Sequence, residues 1–129
     1  MKAYELRLGN WVFDIMDKQN IELSLDDFQC MNNFVRSNHP IPYKAISLST
    51  EWLKKFQFVK KEERYFKDFK GGSISINDEG ECVLFVGDDY TLNVAMDYKC
   101  CTLPVEIKHL HQLQNLYFAL TGEELNINL

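Results

Sequence analysis

The sequence predicts an α+β fold: an antiparallel β-sheet with an N-terminal hairpin, a short Trp-containing helix and a packed C-terminal amphipathic helix. Two patterns carry this prediction. Short apolar segments separated by Gly- and Asn-containing turns follow one another over residues 64–86, which is typical of an antiparallel meander. Apolar residues then recur at helical spacing from Leu110 to Leu120. The chain has 129 residues, so we expect residues 1–129 to form a single domain with its own core.

The N-terminal part of the chain predicts a hairpin followed by a helix. Residues 11–16 are apolar and aromatic, and residues 21–25 alternate between apolar and polar, so both indicate strands joined by a polar turn. Apolar residues at helical spacing then predict a short helix over residues 26–35. Its N-cap is Ser24 or Asp26, since both side chains can accept a hydrogen bond from the first turn.

Two prolines one residue apart, Pro40 and Pro42, keep residues 37–42 extended and mark a possible internal seam. A two-turn helix is expected after it, over residues 50–56. Ser49 supplies the N-cap, a glutamate lies in the first turn, and lysines lie in the last. We expect one helix face to be buried against the sheet, and that face consists of Trp52, Leu53 and Phe56.

The middle of the chain predicts most of the sheet. Three strands are expected at residues 64–69, 73–77 and 81–86, with Gly- and Asn-containing turns between them. Residues 91–96 alternate and predict a further strand. A strand at residues 102–107 would complete the sheet.

The last helix has the clearest pattern. Gly122 is a natural left-handed terminator, and residues 125–129 alternate, which predicts an edge strand. The apolar stripe of the helix is formed by Leu110, Leu113, Leu116, Tyr117 and Leu120.

Phe118 lies away from that stripe on the helical wheel, beside His111 and Gln114. A large aromatic residue on a polar helix face has two interpretations. Another part of the chain covers it, for example the N-terminal hairpin with Trp11 and Phe13. Alternatively, Phe118, His111 and Gln114 form an anchor for a protein partner or a second copy, because interface centres are rich in aromatic residues.

The charge of the chain is unevenly distributed. Counting Lys and Arg against Asp and Glu gives −1 for residues 1–50, +3 for residues 51–70 and −7 for residues 71–129, which sum to the net −5. An acidic chain repels nucleic acid, so contact with phosphates would have to come from the basic segment. The candidate nucleic-acid-binding residues, with aromatic residues interleaved, are Lys54, Lys55, Lys60, Lys61, Arg64, Lys67 and Lys70. The alternative is a solvated surface whose aromatic residues are core.

Cysteine and histidine supply the most enzyme-like pattern. We expect Cys30, Cys82, Cys100 and Cys101 to be reduced and mostly buried, because the sequence lacks a secretory context. The last two, with His109 and His111, could form a thiol–base pair or a zinc site. If both histidines lie on the helix they are about 160° apart and cannot face one ion.

No Cys-x2-Cys spacing, Walker loop or nucleophile elbow is present. Paired carboxylates fall in predicted turns or at element ends, where solvated turn residues are the ordinary interpretation. We therefore predict no catalytic residue, no metal ligand and no cofactor. A small Cys/His-dependent enzyme is kept as the least favoured alternative.

Three segments resemble a group of small proteins encoded by gut anaerobes and by their phages and prophages. They are ELRLGNWV at residues 5–12, ISLSTEWLKKFQF at residues 46–58 and HQLQNLYFALTGEEL at residues 111–125. The last is the most specific. Ser47 departs from the group's usual proline, and the stretch from Gly87 to Pro104 is longer than typical. The resemblance implies a mobile-element origin and a cytoplasmic setting, and it implies no activity.

The sequence thus favours a non-enzymatic phage or prophage accessory protein that binds another macromolecule, most simply a protein. The acidic C-terminal half would suit a basic partner surface. A nucleic-acid-associated module using residues 54–70 is the alternative. No apolar run approaches the ~20 residues of a membrane helix, so no membrane contact is expected.

Overall fold

A computed structural model describes residues 1–86, 99–104 and 106–127 of the chain. Helices and antiparallel strands are both present, as the predicted α+β class requires. The strands form two sheets rather than the single sheet expected. The first has the order β2-β1-β3, and the second has the order β4-β5-β6-β7-β8.

The first sheet contains the predicted hairpin, with β1 at Trp11–Asp14 and β2 at Gln19–Glu22. Its third strand, β3 at Tyr43–Ala45, follows the two prolines and pairs with β1. The chain therefore returns to the first sheet after residues 37–42. Between these strands lies helix α1, Leu25–Arg36.

Ser24 is the N-cap of α1. The Asp27 carboxylate accepts a hydrogen bond from the Ser24 backbone N–H at 2.8 Å, and the Ser24 hydroxyl accepts one from the Asp27 N–H. This reciprocal capping satisfies two N–H groups that have no partner within the helix. The predicted helix and the first of its two candidate caps are confirmed.

The second sheet is an antiparallel meander of five strands. It confirms the three strands predicted over residues 64–86 to within one residue at most ends. The bounds of its strands are β4 Val59–Lys61, β5 Arg64–Phe69, β6 Gly72–Ile76, β7 Cys82–Val86 and β8 Lys99–Thr102.

Two predicted strands are wrong where the structure describes them. The strand placed at residues 102–107 is β8, and it ends at Thr102 because Pro104 follows and has no N–H to donate to a ladder. Residues 125–127 form no strand. The strand predicted at residues 91–96 lies outside the described residues.

Two further helices pack on the second sheet. Helix α2, Thr50–Lys55, begins at Ser49, whose hydroxyl accepts a hydrogen bond from the Trp52 N–H. Leu53 and Phe56 are buried as predicted, whereas Trp52 is only half-buried. The Trp52 ring lies against Trp11 at 5.6 Å between centroids, because β1 closes over that end of α2.

Helix α3, Leu110–Thr121, ends at Gly122, which adopts the predicted left-handed conformation with φ of 73°. Its start is held by the chain at residues 46–48. The Leu110 N–H donates to the Ile46 carbonyl, and the Leu48 N–H donates to the Lys108 carbonyl, both at 2.9 Å. These bonds place α3 between the two sheets.

Two hydrophobic clusters form the core. The larger lies between the second sheet, α2 and α3, and its buried members are Leu53, Phe56, Phe58, Tyr65, Ile74, Ile76, Cys82, Ile107, Leu110, Leu113, Tyr117 and Leu125. The smaller lies under the first sheet and α1, and its buried members are Leu6, Val12, Leu23, Met31 and Tyr43. No helix in the described part of the chain is long and apolar enough to cross a membrane.

Candidate functional site

The polar face of α3 is covered by the segment that precedes the hairpin, residues 5–11. Gln114 is central to this contact and is only 1% exposed. Its amide nitrogen donates to the Gly9 carbonyl at 3.0 Å, and its amide oxygen accepts from the Trp11 N–H at 2.9 Å. A buried glutamine with both ends bonded to backbone fixes the position of this segment on the helix.

Asn115 extends the same contact by one residue. Its side-chain oxygen accepts from Asn10 Nδ2 and from Arg7 Nε, each at 2.9 Å, and its nitrogen donates to the Glu5 carbonyl. Asn10 is fully buried, and its own oxygen accepts from the Arg7 N–H at 2.7 Å. We call the contact of residues 5–11 with Gln114 and Asn115 the polar seam.

Phe118 lies one turn further along this face and is 39% exposed. The Arg7 guanidinium stacks over its ring, with 4.3 Å between Arg7 Cζ and the ring centroid. Both terminal nitrogens of Arg7 donate to the Glu124 carboxylate, and one also donates to the Gln114 carbonyl. The cation is thus held between a carboxylate and an aromatic face, so it keeps Phe118 in one orientation.

The three predicted partner-binding residues therefore have different surroundings. His111 and Gln114 are buried inside the monomer, and only Phe118 presents surface to solvent. The Arg7 side chain, rather than the N-terminal hairpin, lies over the Phe118 ring and covers it only in part. Phe118 and the Arg7 side chain stacked on it form the exposed end of the contact between residues 5–11 and α3.

The two histidines near the start of α3 lie together, because only His111 belongs to the helix. His109 is the N-cap and has extended backbone angles, so helical spacing does not apply to the pair. Their ring centroids are 5.9 Å apart with 18° between the planes. His111 Nε2 lies 4.0 Å from a Glu5 carboxylate oxygen, and His111 Nδ1 is buried without a hydrogen-bond partner among the described residues.

Burial lowers the pKa of His111, and the neighbouring His109 lowers it further, while the Glu5 carboxylate acts in the opposite direction. His111 is therefore neutral at pH 7. Both histidines, together with Glu5, Tyr43 and Lys44, line a cleft of about 310 Å³ between β3 and the start of α3.

Cys101 is an exposed free thiol on β8, and Cys82 is a buried one on β7, so the expectation of mostly buried cysteines is wrong for Cys101. Its Sγ lies against its neighbour's carbonyl, Thr102 O, at 3.8 Å. Within the described ranges, no three His, Cys, Asp or Glu side chains are grouped so as to hold a metal ion. The side chain of Cys100 lies outside the described part of the chain.

The cations of residues 54–70 fall into two groups: some are bonded within the fold, and the others are exposed. Lys67 donates to the Phe56 carbonyl at 2.9 Å, and burial lowers the pKa of its ammonium group. Arg64 donates to Ser75 and pairs with Glu81. The remaining five cations are exposed, namely Lys54, Lys55, Lys60, Lys61 and Lys70.

The aromatic residues of the same segment pack within the fold. Phe58 and Tyr65 are buried in the larger cluster, and Phe69 meets the edge of Tyr117 at 6.5 Å. Phe66 lies 6.2 Å from Phe85 on the other face of the sheet. Only the half-buried rings of Phe66 and Phe69 remain in this segment for the stacking on bases that a single-strand binder needs. The nucleic-acid hypothesis itself stays a prediction.

Sequence reasoning missed Arg7, Asn10, Asn115 and Glu124. The available signal was the run of Gln114 and Asn115 on the non-apolar face of a well-defined helix. Two adjacent carboxamides there, with a third after Gly9, are consistent with a buried polar contact. Comparison with known protein families, curated proteins and solved structures finds no match to this chain.

Proposed function

We propose that the chain is a non-enzymatic accessory protein that binds another protein, and that the partner docks on the Arg7–Phe118 surface. This surface consists of Phe118, the Arg7 side chain stacked on it, and the carboxylates of Glu123 and Glu124. The observation that carries the proposal is a large aromatic ring, 39% exposed, with a guanidinium stacked on one face.

Rigidity matters because binding costs conformational entropy. The Arg7 guanidinium is held by Glu124 and Asn115, so neither it nor the Phe118 ring loses much freedom when a partner covers them. Arginine and aromatic side chains dominate binding energies at interface centres. The Arg7–Phe118 surface has both before any partner arrives.

Charge indicates the kind of partner. Glu123 is exposed at the C-terminal end of α3, where the helix dipole is negative, and residues 71–129 carry a net −7. A basic protein surface would complement this region and would associate faster at low salt. A phage or prophage setting rests on the resemblance of the three segments alone. The free thiols of Cys30, Cys82 and Cys101 fit a reducing cytoplasm.

The test compares Phe118→Ser with Val35→Ser, which removes an exposed apolar side chain on α1. A protein captured by the wild-type chain is purified, and its dissociation constant is measured for all three chains. We expect Phe118→Ser to keep its urea midpoint and to weaken binding about 30-fold or more, the level of an interface hot spot. Val35→Ser should bind like the wild type.

Equal binding by Phe118→Ser and the wild type would remove the proposed surface. Early melting of Phe118→Ser, with a wild-type chain that sediments as a monomer at all concentrations and captures nothing, would instead make Phe118 a core residue. Steep salt-dependent retention on heparin, lost on replacing Lys60 and Lys61, would favour the nucleic-acid alternative.

A further inference from the structure

His111 is buried at one end of the polar seam, and its ring nitrogens are poorly hydrogen-bonded. It is 3% exposed, and its Nδ1 has no hydrogen-bond partner among the described residues. Its Nε2 is 4.0 Å from the Glu5 carboxylate, which is too long for a hydrogen bond. An imidazolium at this position would carry two N–H donors, and no acceptor among the described residues lies within hydrogen-bond distance of either.

Charged groups face His111 from three elements. His109, at the start of the same helix, stacks its ring at 5.9 Å. The N-terminal segment contributes Glu5 and the amino group of Met1. Strand β3 contributes Tyr43 and Lys44 to the cleft that His111 lines. Glu5 alone among these favours a positive charge on His111, while Met1, Lys44 and a protonated His109 oppose it.

We propose that His111 is a pH-sensitive latch: neutral, it packs beneath the N-terminal segment, and when protonated it opens the contact between residues 5–11 and α3. A buried charge without hydrogen bonds is strongly unfavourable, so protonation favours the state in which both ring nitrogens reach water. The N-terminal segment reaches the ring through Glu5, so moving this segment away admits water to the imidazolium, and that solvation outweighs the loss of a carboxylate 4.0 Å away.

Opening would remove the Arg7–Phe118 surface as well. His111, Gln114, Asn115 and Phe118 follow one another along a single face of α3. Residues 5–11 form hydrogen bonds with Gln114 and Asn115, and the Glu5 carboxylate lies 4.0 Å from His111 Nε2. Because the consequence for partner binding rests on the proposed function, the test of the latch uses no partner.

The direction of the pH effect follows from the neutral form being favoured in the closed state. His111 in the open segment regains its ordinary pKa of 6.5, so closure is complete above that pH and is lost as the pH falls below it. The full chain is studied between pH 7.5 and 5 by NMR. His111 ring signals report protonation, and amide-exchange protection, corrected for intrinsic rates, reports opening.

We expect protection of the Trp11 amide, which donates to Gln114, to fall severalfold as His111 protonates, while Ile74 in the centre of β6 keeps its protection. His111→Gln should abolish this pH dependence, and His39→Gln, at an exposed histidine, should leave it unchanged. Glu5→Gln should shift opening to higher pH, because it removes the carboxylate that favours the imidazolium in the closed state, so protonation opposes closure more strongly.

Titration of His111 at or above its ordinary pKa, or protection of Trp11 that follows Ile74 through the titration, would overturn the latch. If His111→Gln does not fold, the wild-type titration and Glu5→Gln decide. If the pH-dependent opening is absent but binding still depends on Phe118, only this inference is wrong. If the opening is observed but binding does not depend on Phe118, only the proposed function is wrong.

Discussion

The two hydrophobic clusters of this chain differ in size and in what closes them. Among the described residues, the larger has twelve buried members, mainly from the second sheet, α2 and α3, whereas the smaller has five under the first sheet and α1. Five side chains stabilise very little against the entropy of ordering some forty residues. The first sheet therefore depends on its attachment to the rest of the chain.

That attachment is largely polar. Gln114 and Asn115 of α3 hold the segment before β1 through its backbone, and Arg7 spans to Glu124. The apolar part of the attachment includes Trp11, whose ring packs on Trp52, and Ile46 and Leu48 after β3, which pack against the larger cluster. Hydrogen bonds are directional, so this junction has one preferred geometry and can open without exposing much apolar surface. The Arg7–Phe118 surface spans this junction, because Phe118 lies on α3, which packs into the larger cluster, whereas Arg7 lies in the segment that leads into the first sheet.

The largest expected effect comes from the larger cluster. Phe56 is fully buried, so Phe56→Ala should cost about 3–5 kcal/mol of unfolding free energy and lower stability throughout the chain. Met31→Ala in the smaller cluster should cost about 2 kcal/mol, because its site borders solvent and can collapse. Urea denaturation followed by tryptophan fluorescence measures both. If Met31→Ala lowers the unfolding free energy as much as Phe56→Ala or more, the proposed difference between the two clusters is contradicted.

High pH provides a second comparison. Burial raises the pKa of the Cys82 thiol to about 11 from 9.0, so the folded state holds its proton more tightly. The resulting stability is complete below pH 9 and is lost between pH 9 and 11, by roughly 2–3 kcal/mol in all. Burial raises the pKa of the Tyr43 hydroxyl in the smaller cluster, and the Asp27 carboxylate raises it further. The stability that the protonated Tyr43 contributes is therefore lost from about pH 10 upward.

Urea midpoints measured from pH 8 to 11 test this effect. Cys82→Ala should flatten the fall above pH 9, and Cys101→Ala, at an exposed thiol, should leave it as in the wild type. An unchanged slope in Cys82→Ala would show that the buried thiol is not the cause.

The polar seam gives the smallest of the three effects and the most local one. Gln114→Leu keeps the size of the side chain but leaves the Trp11 N–H and the Gly9 carbonyl unpaired, at a cost of about 2 kcal/mol. Amide exchange should increase at residues 7–11 and stay unchanged in β5 and β6. Gln29→Leu, at an exposed site on α1, serves as the control. Uniformly faster exchange would mean that the seam and the larger cluster open together.

Much of the secondary structure could be predicted because its causes are local. Ser24 and Ser49 accept hydrogen bonds from N–H groups within three residues, and Gly122 takes a backbone conformation that glycine adopts freely. The meander follows from turns a few residues long. The strand predicted at residues 102–107 is wrong because Pro104, which has no N–H to donate, comes two residues after Thr102.

The division into two sheets could not be predicted in the same way. Strand β3 pairs with β1 across the whole of α1, and no local pattern selects that partner over a strand of the meander. The burial of Trp52 was overestimated for the same reason, since β1 covers only part of its ring.

For the candidate site, the sequence by itself determined that Phe118, His111 and Gln114 share a face of α3, because helical geometry depends only on spacing. Which of them stays exposed was decided by the tertiary structure. Residues 5–11 are more than a hundred positions away in the chain, and their docking buries His111 and Gln114 while leaving Phe118 under Arg7. Such long-range polar pairing depends on the relative placement of whole elements, which spacing and composition do not encode.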